Sequence, residues 1–256
     1  MPDFVPHDPG FNALVIGHAK LEKLWSGCRW AEGPAYFPAG RYLIWSDIPN
    51  NRMMRFDETD GSVSTFRLPS NNSNGNTIDR QGRLVTCEHL TRCVTRTEHD
   101  GCVTVLADRW EGRRLNSPND VVVKSDGSVW FTDPSYGIDS DYEGEKAEAE
   151  QEGCFVYRID PESRAVEVLI RDRVRPNGLA FSPDERLLYV VDTGASHVRG
   201  LPVTIHAYPV EGDGLGTIPV GEIVSNVCFG GQKRNRLYIC GQTSLYSIYL
   251  NVRGAV

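Results

Sequence analysis

Three residues in this chain share a setting that suits one kind of chemistry. Glu32 lies in Ala31-Glu32-Gly33-Pro34, Asn119 in Ser117-Pro118-Asn119-Asp120 and Asn177 in Pro176-Asn177-Gly178-Leu179, each beside Pro or Gly. One carboxylate with two amide carbonyls is an all-oxygen set, which suits a hard divalent cation such as Ca²⁺, Mg²⁺ or Mn²⁺ better than a thiolate-loving one. The same residue types beside Pro and Gly also build turns, so the set reads either as a cation site or as a repeated structural turn. Three further acids stand near similar positions: Asp120, Asp133 in Phe131-Thr132-Asp133-Pro134, and Asp192 in Val191-Asp192-Thr193. Each is expected either to hydrogen-bond turn backbone or to activate a water. His89, directly after Cys87-Glu88, is a candidate proton carrier or hydrogen-bond donor to a substrate. The remaining histidines, His7, His18, His99, His197 and His206, have no spacing that assembles a metal site. There is no nucleophile elbow and no phosphate-binding glycine loop.

Glu32, Asn119 and Asn177 can meet only if the elements carrying them converge. Apolar and polar residues alternate in short runs, at Arg41–Asp47, Arg52–Phe56, Arg83–Cys87, Val103–Ala107 and Ser128–Thr132, and Asp-Gly pairs punctuate several of them. That is the signature of antiparallel strands and hairpins; no dozen-residue stretch with helical spacing supplies crossover helices for a parallel sheet. A unit of opener, strand, turn and hairpin recurs, with openers Glu32-Gly33-Pro34, Asn74-Gly75-Asn76, Pro118-Asn119-Asp120, Pro176-Asn177-Gly178 and Ser225-Asn226. A period of about 40 to 50 residues with four strands each is that of β-propeller blades. One blade cannot bury both its faces alone, so blades stack radially and their inner strands bring the openers together around an axis. The fold class is therefore all-β, a propeller of four-stranded blades with five units visible. Residues 1–20 read as an N-terminal extension and 21–256 as a single propeller domain, with the strand material at Leu21–Cys28 completing the last blade and so removing a sheet edge. The longest interval holds Ile138–Glu152, an acidic, weakly apolar insertion that reads as a solvated excursion or as a lid over the channel.

Composition narrows the partners. The chain has 256 residues, with 27 Lys and Arg against 34 Asp and Glu, a net charge of −7 that disfavours nucleic acid and anionic membrane surfaces. No apolar run approaches the roughly 18 residues that a membrane helix needs. The 7 Cys include no CxxC pair and are odd in number, so neither a complete disulfide framework nor a zinc ribbon is expected. No basic-then-apolar leader opens the sequence, which points to the cytoplasm, with a processed periplasmic form left open.

The segments WAEGPAYF (Trp30–Phe37), NSNGNTIDRQGRLVTCEH (Asn72–His89), RLNSPNDVVVKSDGSVWFTDPSYG (Arg114–Gly137), RPNGLAFSPDERLLYVVDTG (Arg175–Gly194) and VSNVCFGGQKRNRLYICGQTSLY (Val224–Tyr246) resemble the senescence-marker-protein, regucalcin and gluconolactonase family, in the right order and from about Leu24 onward. The resemblance implies a six-bladed propeller that uses one divalent cation to hydrolyse sugar lactones such as glucono-1,5-lactone. Ca²⁺ is the first candidate and Mg²⁺, Mn²⁺ or Zn²⁺ are alternatives. Carried over residue by residue, Glu32 and Asn177 become metal ligands and Asn119 a ligand or substrate contact, with Asn74 and His89 as further candidates for substrate hydroxyl groups. One departure matters: the family's Asp ligand, in a PDG-type opener, has no counterpart. About one blade is missing between Gly212 and Val220, and Asp213 lies in a hairpin-like Gly-Asp-Gly rather than after Pro. Two further readings follow, an impaired propeller that binds metal or ligand without turnover and a phosphotriesterase-like hydrolase on the same scaffold. The oligomeric state is left open.

Overall fold

The computed structural model describes residues 4–196, 204–208 and 216–254, of which 204–208 and 216–217 as backbone alone. The alternating runs become antiparallel strands within a residue or so of the predicted bounds: Tyr42–Asp47, Arg52–Asp57, Leu84–Glu88, Val103–Ala107 and Val129–Asp133. They group into five blades. Blade 1 runs from its inner strand Ala31–Phe37 to its outer strand Val63–Arg67, blade 2 from Ser73–Ile78 to Val103–Ala107, and blade 3 from Val121–Val123 to Val166–Ile170. Blade 4 has three described strands, Pro176–Phe181, Leu188–Asp192 and Thr204–Tyr208. Blade 5 has the inner strand Val224–Gly230, then Arg236–Gly241 and Ser244–Tyr249, and its outermost strand is Glu22–Ser26 from the start of the chain, with Glu22 opposite Ser247. Helix is confined to single turns such as Phe11–Leu14 and Tyr136–Asp139.

Apolar clusters fill the spaces between consecutive blades, because each twisted sheet is apolar on both faces. Tyr36, Leu43, Trp45 and Phe56 pack with Tyr238, Cys240 and Leu245 between blades 1 and 5; Ala35, Ile44, Met53 and Leu84 lie between blades 1 and 2. Val85, Val94, Phe131 and Tyr157 belong to the cluster between blades 2 and 3, and Val156, Leu179, Leu188 and Val190 to the one between blades 3 and 4. Among the described residues no such cluster joins blades 4 and 5. The other face of blade 5, with Ile239, Tyr246, Ile248 and Leu250, is covered instead by Phe4, Val15, Ala19 and Leu21 and by Ile218 and Val220. Val5–Pro6 pairs with Gly216–Thr217, and Val15 bridges to Leu250. The stretch 1–20 thus packs on the propeller over its described part. Residues 212–215, including Asp213, and His197 lie outside the described residues.

Candidate functional site

Each opener sits at the same end of an inner strand, and the local register explains why its side chains turn toward the axis. The ladder between the first two strands slips between Glu32 and Ala35 in blade 1, Ser73 and Asn76 in blade 2, Pro176 and Leu179 in blade 4, and Val224 and Asn226 in blade 5. Such bulges re-aim side chains and end pairing next to functional sites. Glycine follows the opener where two inner strands touch. A Cβ on Gly33, which has φ +51°, would stand 2.1 Å from the Asn74 carbonyl oxygen, and one on Gly75 would stand 2.5 Å from that of Asn119. In place of a side chain, the Gly75 N–H donates to Asn119 O at 2.7 Å.

The channel end is acidic and dry. Glu32 and Asp120 are 6% and 8% exposed. Burial pushes Glu32 up to about 8, reinforced by the Asp120 charge, and burial raises Asp120 to about 6 against the backbone N–H groups of Leu179 and Val121 that favour its ionised form. Those bonds are Leu179 N–H to Oδ2 at 3.2 Å and Val121 N–H to Oδ1 at 3.0 Å, while Gly33 N–H donates to Glu32 Oε2 at 3.2 Å. The Asn226 side chain lies near both carboxylates and favours their ionised forms, and its Oδ1 accepts its neighbour Val227 N–H at 2.7 Å. Among the described residues, no Lys or Arg hydrogen-bonds to either acid.

His89 is fully buried, and its ring is held at both nitrogens, Nδ1 by the Glu143 carbonyl and Nε2 by Asn74 Nδ2, each at 3.1 Å. A carbonyl only accepts, so Nδ1 carries the proton and Nε2 accepts from the Asn74 amide N–H. Burial holds the ring down at about 4 and hence neutral at pH 7. This orients Asn74 as well: with its NH₂ turned to His89, its Oδ1 is left buried without a partner. The acidic insertion therefore folds back over the mouth. Asp139 pairs with Arg175 at 2.7 Å, Glu150 Oε2 accepts Arg114 N–H at 2.8 Å, and the Glu143 carboxyl, raised to about 7 by burial and then by Asp139, adds to the negative field at Glu32.

Asn119 is 3% exposed, and its side-chain amide has no hydrogen-bond partner among the described residues. Asn177 is half-buried; its amide Nδ2 reaches Thr193 Oγ1 at 3.4 Å, a hydroxyl that also meets Tyr136 OH at 2.7 Å. Asp133 and Asp192 stand at the ends of second strands, where their carboxylates take backbone N–H groups leading into the inner strand of the same blade. Asp133 Oδ2 accepts Asn116 N–H at 2.8 Å, and Asp192 accepts those of Val174 and Arg175 at 2.9 Å. Asp47 does the same in blade 1, accepting Arg29 N–H at 2.8 Å. Burial lifts Asp133 to about 7, whereas at Asp192 burial is outweighed by the N–H groups of Arg175, Val174 and Gly194, which hold it below the usual range. Glu32, Asn74, Asn119 and Asn177 thus share one end of the channel, with His89 behind Asn74; Asp133 and Asp192 sit a strand further out. Asp120, read from sequence as a turn acid or a water-activating group, joins the site, as do Asn226 and Glu143, which were assigned no role from sequence. The first two stand within openers, whereas Glu143 carries no local signal.

This donor set fits a hard divalent cation. Two buried carboxylates raise each other's energy without a positive partner, and Asn74 Oδ1 is a buried oxygen with nothing to accept.

Comparison with known proteins decides the family. The profile of the SMP-30/gluconolactonase/LRE-like region matches residues 30–210. The chain belongs to this family. A gluconolactonase of Zymomonas mobilis is 32% identical over 226 residues, covering 82% of the chain and 60% of the relative. A 6-deoxy-6-sulfogluconolactonase of Pseudomonas putida is 30% identical, over 72% of the chain and 56% of the relative. The chain therefore spans about 60% of the length of these curated family members. The solved structure of a gluconolactonase from Xanthomonas campestris superposes with a TM-score of 0.88 at 33% identity, covering 98% of the chain and 95% of that structure. A regucalcin from Agrobacterium tumefaciens, at 15% identity and TM-score 0.65 over 91% and 95% of the two chains, shares the fold.

Proposed function

We propose that this chain hydrolyses sugar lactones of the glucono-1,5-lactone type with a divalent cation, Ca²⁺ before Mg²⁺, Mn²⁺ or Zn²⁺, held at the channel end. The observation that carries the reading is the buried Glu32 carboxyl, with no Lys or Arg bonded to it among the described residues, at the channel end of a chain of the gluconolactonase family. Glu32, Asn177 and Asn119 would hold the cation, the last through an amide that no other described residue engages. When bound, such an ion draws electron density from the lactone carbonyl and eases ionisation of water. The protein's own groups supply the rest. Asn74 Oδ1, aimed by the neutral His89, accepts a hydroxyl of the sugar; Asn119 is placed to contact the substrate; the insertion above His89 limits bulk water at the mouth. Water adds across the ring ester, its oxygen bonding to the carbonyl carbon while the ring oxygen leaves with a proton, and the product is the open hydroxy acid. Asp133 and Asp192, engaged by backbone N–H groups, are assigned to the fold in this reading, which leaves proton transfer to the carboxylates at the channel end.

The test is hydrolysis of glucono-1,5-lactone by metal-stripped protein with each cation restored singly. Turnover that needs the cation and falls by about 10²-fold or more in Glu32→Gln is the expected result. A folded protein that binds cation yet turns over no faster than the spontaneous reaction defeats the lactonase reading for this substrate. It would favour a binding-only propeller, for which the missing opener is the motivating feature. A parallel assay with a phosphotriester separates the remaining alternative.

A further inference from the structure

The family's cation site, by resemblance, draws its second carboxylate from an opener that has no counterpart in this sequence. The structure shows another carboxylate already at the axis. Asp120 comes from blade 3, the residue after Asn119; its Oδ1 lies against Gly75 of blade 2, whose Cα in turn lies against Gly33, the neighbour of Glu32 in blade 1, and the Asp120 charge acts on Glu32. Its Oδ2 also takes the Leu179 N–H of blade 4. Blades 1 to 4 therefore meet around this carboxylate, and the Asn226 side chain of blade 5 lies near both acids. Blade 2 also contributes Asn74, 2% exposed, with an Oδ1 that has no partner among the described residues.

We infer that Asp120 is the second anionic ligand of the cation held by Glu32, in place of the acid that the resemblance puts in the missing opener. This deepens the reading above and rests on it. Two carboxylates neutralise one divalent ion, the balance that makes a buried all-oxygen site tight; Glu32 alone leaves a net positive charge among uncharged amides. Cation binding ties blades 1 and 3 directly and blade 4 through Leu179. The cation thus links strands of several blades, and binding and thermal stability rise together.

Calorimetric titration of Ca²⁺ and Mn²⁺ into the metal-stripped full chain, Glu32→Gln and Asp120→Asn tests this, with thermal unfolding of each protein alongside. One site in the parent protein, weakened by about 100-fold in each variant, is expected, with loss of the cation-induced rise in Tm. If Glu32→Gln loses binding while Asp120→Asn binds as the parent does, Asp120 is not a ligand and this inference fails with the cation reading intact. If Glu32→Gln binds as the parent does, the cation reading itself falls. Asp120→Asn exchanges an acceptor for a donor beside Val121 or Leu179, so a measurement on the unaltered protein is added. In protein labelled with carboxyl-¹³C aspartate, saturation with Ca²⁺ is expected to shift one aspartate carboxylate infrared band. No shifted aspartate band overturns the inference even if the variant does not fold.

Discussion

The two sides of the ring are built from the same repeated opener and differ in what the opener touches. From blade 1 to blade 3 the inner strands meet backbone to backbone, at Gly33 against Asn74 and at Gly75 against Asn119, and Ala31–Tyr36 are buried throughout. On the other side, Ala180 of blade 4 is exposed, and Ile223, Val224 and Val227 at the inner edge of blade 5 are 62%, 45% and 48% exposed. No close packing of the two inner strands across this gap is described. A propeller opener is thus a local turn that any blade can form. It becomes a rigid part of a site only where the next blade presses against it, as blade 2 presses on Glu32 and blade 3 on Asn74.

The sharpest way to break this contrast is to add one methyl group at equivalent openers. Gly33→Ala places a Cβ against backbone 2.1 Å away, at a positive φ, and is expected to cost about 3 kcal/mol or more of stability. Gly178→Ala meets nothing nearer than 3.7 Å and has no positive φ, so its cost is expected within about 1 kcal/mol. Denaturant unfolding of both variants checks the pair; equal losses would show that the two sides are equally packed.

A smaller effect is expected from His89, which lies under the insertion on the packed side. Its folded pKa is depressed from 6.5 to about 4, so the stability tied to its neutral form is fully present above pH 6.5. That stability is lost as pH falls through the window from 6.5 to about 4, by an amount on the order of 2–3 kcal/mol. His89→Gln should remove this acid-side slope from the difference between the two pH–stability curves. NMR titration of the ring should find it neutral down to about pH 4; a midpoint near 6.5 would mean that the insertion leaves it open to water.

The smallest stability change belongs to the open side. Val227→Ser and Ile223→Ser should each alter stability by no more than about 0.5 kcal/mol while reducing concentration-dependent association in sedimentation, since exposed apolar side chains drive contact between molecules. Strong destabilisation by either substitution would show that these side chains are packed after all.

The propeller was legible because strand alternation, turn residues and repeat spacing are local properties of the chain. The openers were legible for the same reason: Gly and Pro mark where an inner strand bulges. Asp120 was harder to read, since an Asp after Pro-Asn is equally a turn residue, and only the approach of Glu32 and the amide of Asn226 from other blades distinguishes it. Glu143 had no signal at all. Its acidic surroundings suggested a solvated loop or a lid, and the feature that joins it to the site is a backbone carbonyl that side-chain chemistry does not reveal. Likewise, the exposure of Val224 and Val227 depends on which blade lies opposite, which no short segment encodes.

Blade 5 takes its outermost strand from the beginning of the chain and its other three from near the end, with the segment before that first strand laid over its free face. Blades 1 to 4 contain only neighbouring strands and can assemble as the chain emerges, each docking on its predecessor. The Glu22–Ser247 pairing and the Val15–Leu250 bridge close loops of more than 200 residues, which carry the largest closure entropy in the fold. That first strand adds Leu24 and Trp25 to the apolar cluster in which Tyr36 and Trp45 already meet Tyr238, Cys240 and Leu245, and so completes the cover of blade 1 beside Glu32. The inner strand that carries Glu32 is thus held in place by residues from both ends of the blade order, a tie across the ring that no single blade supplies.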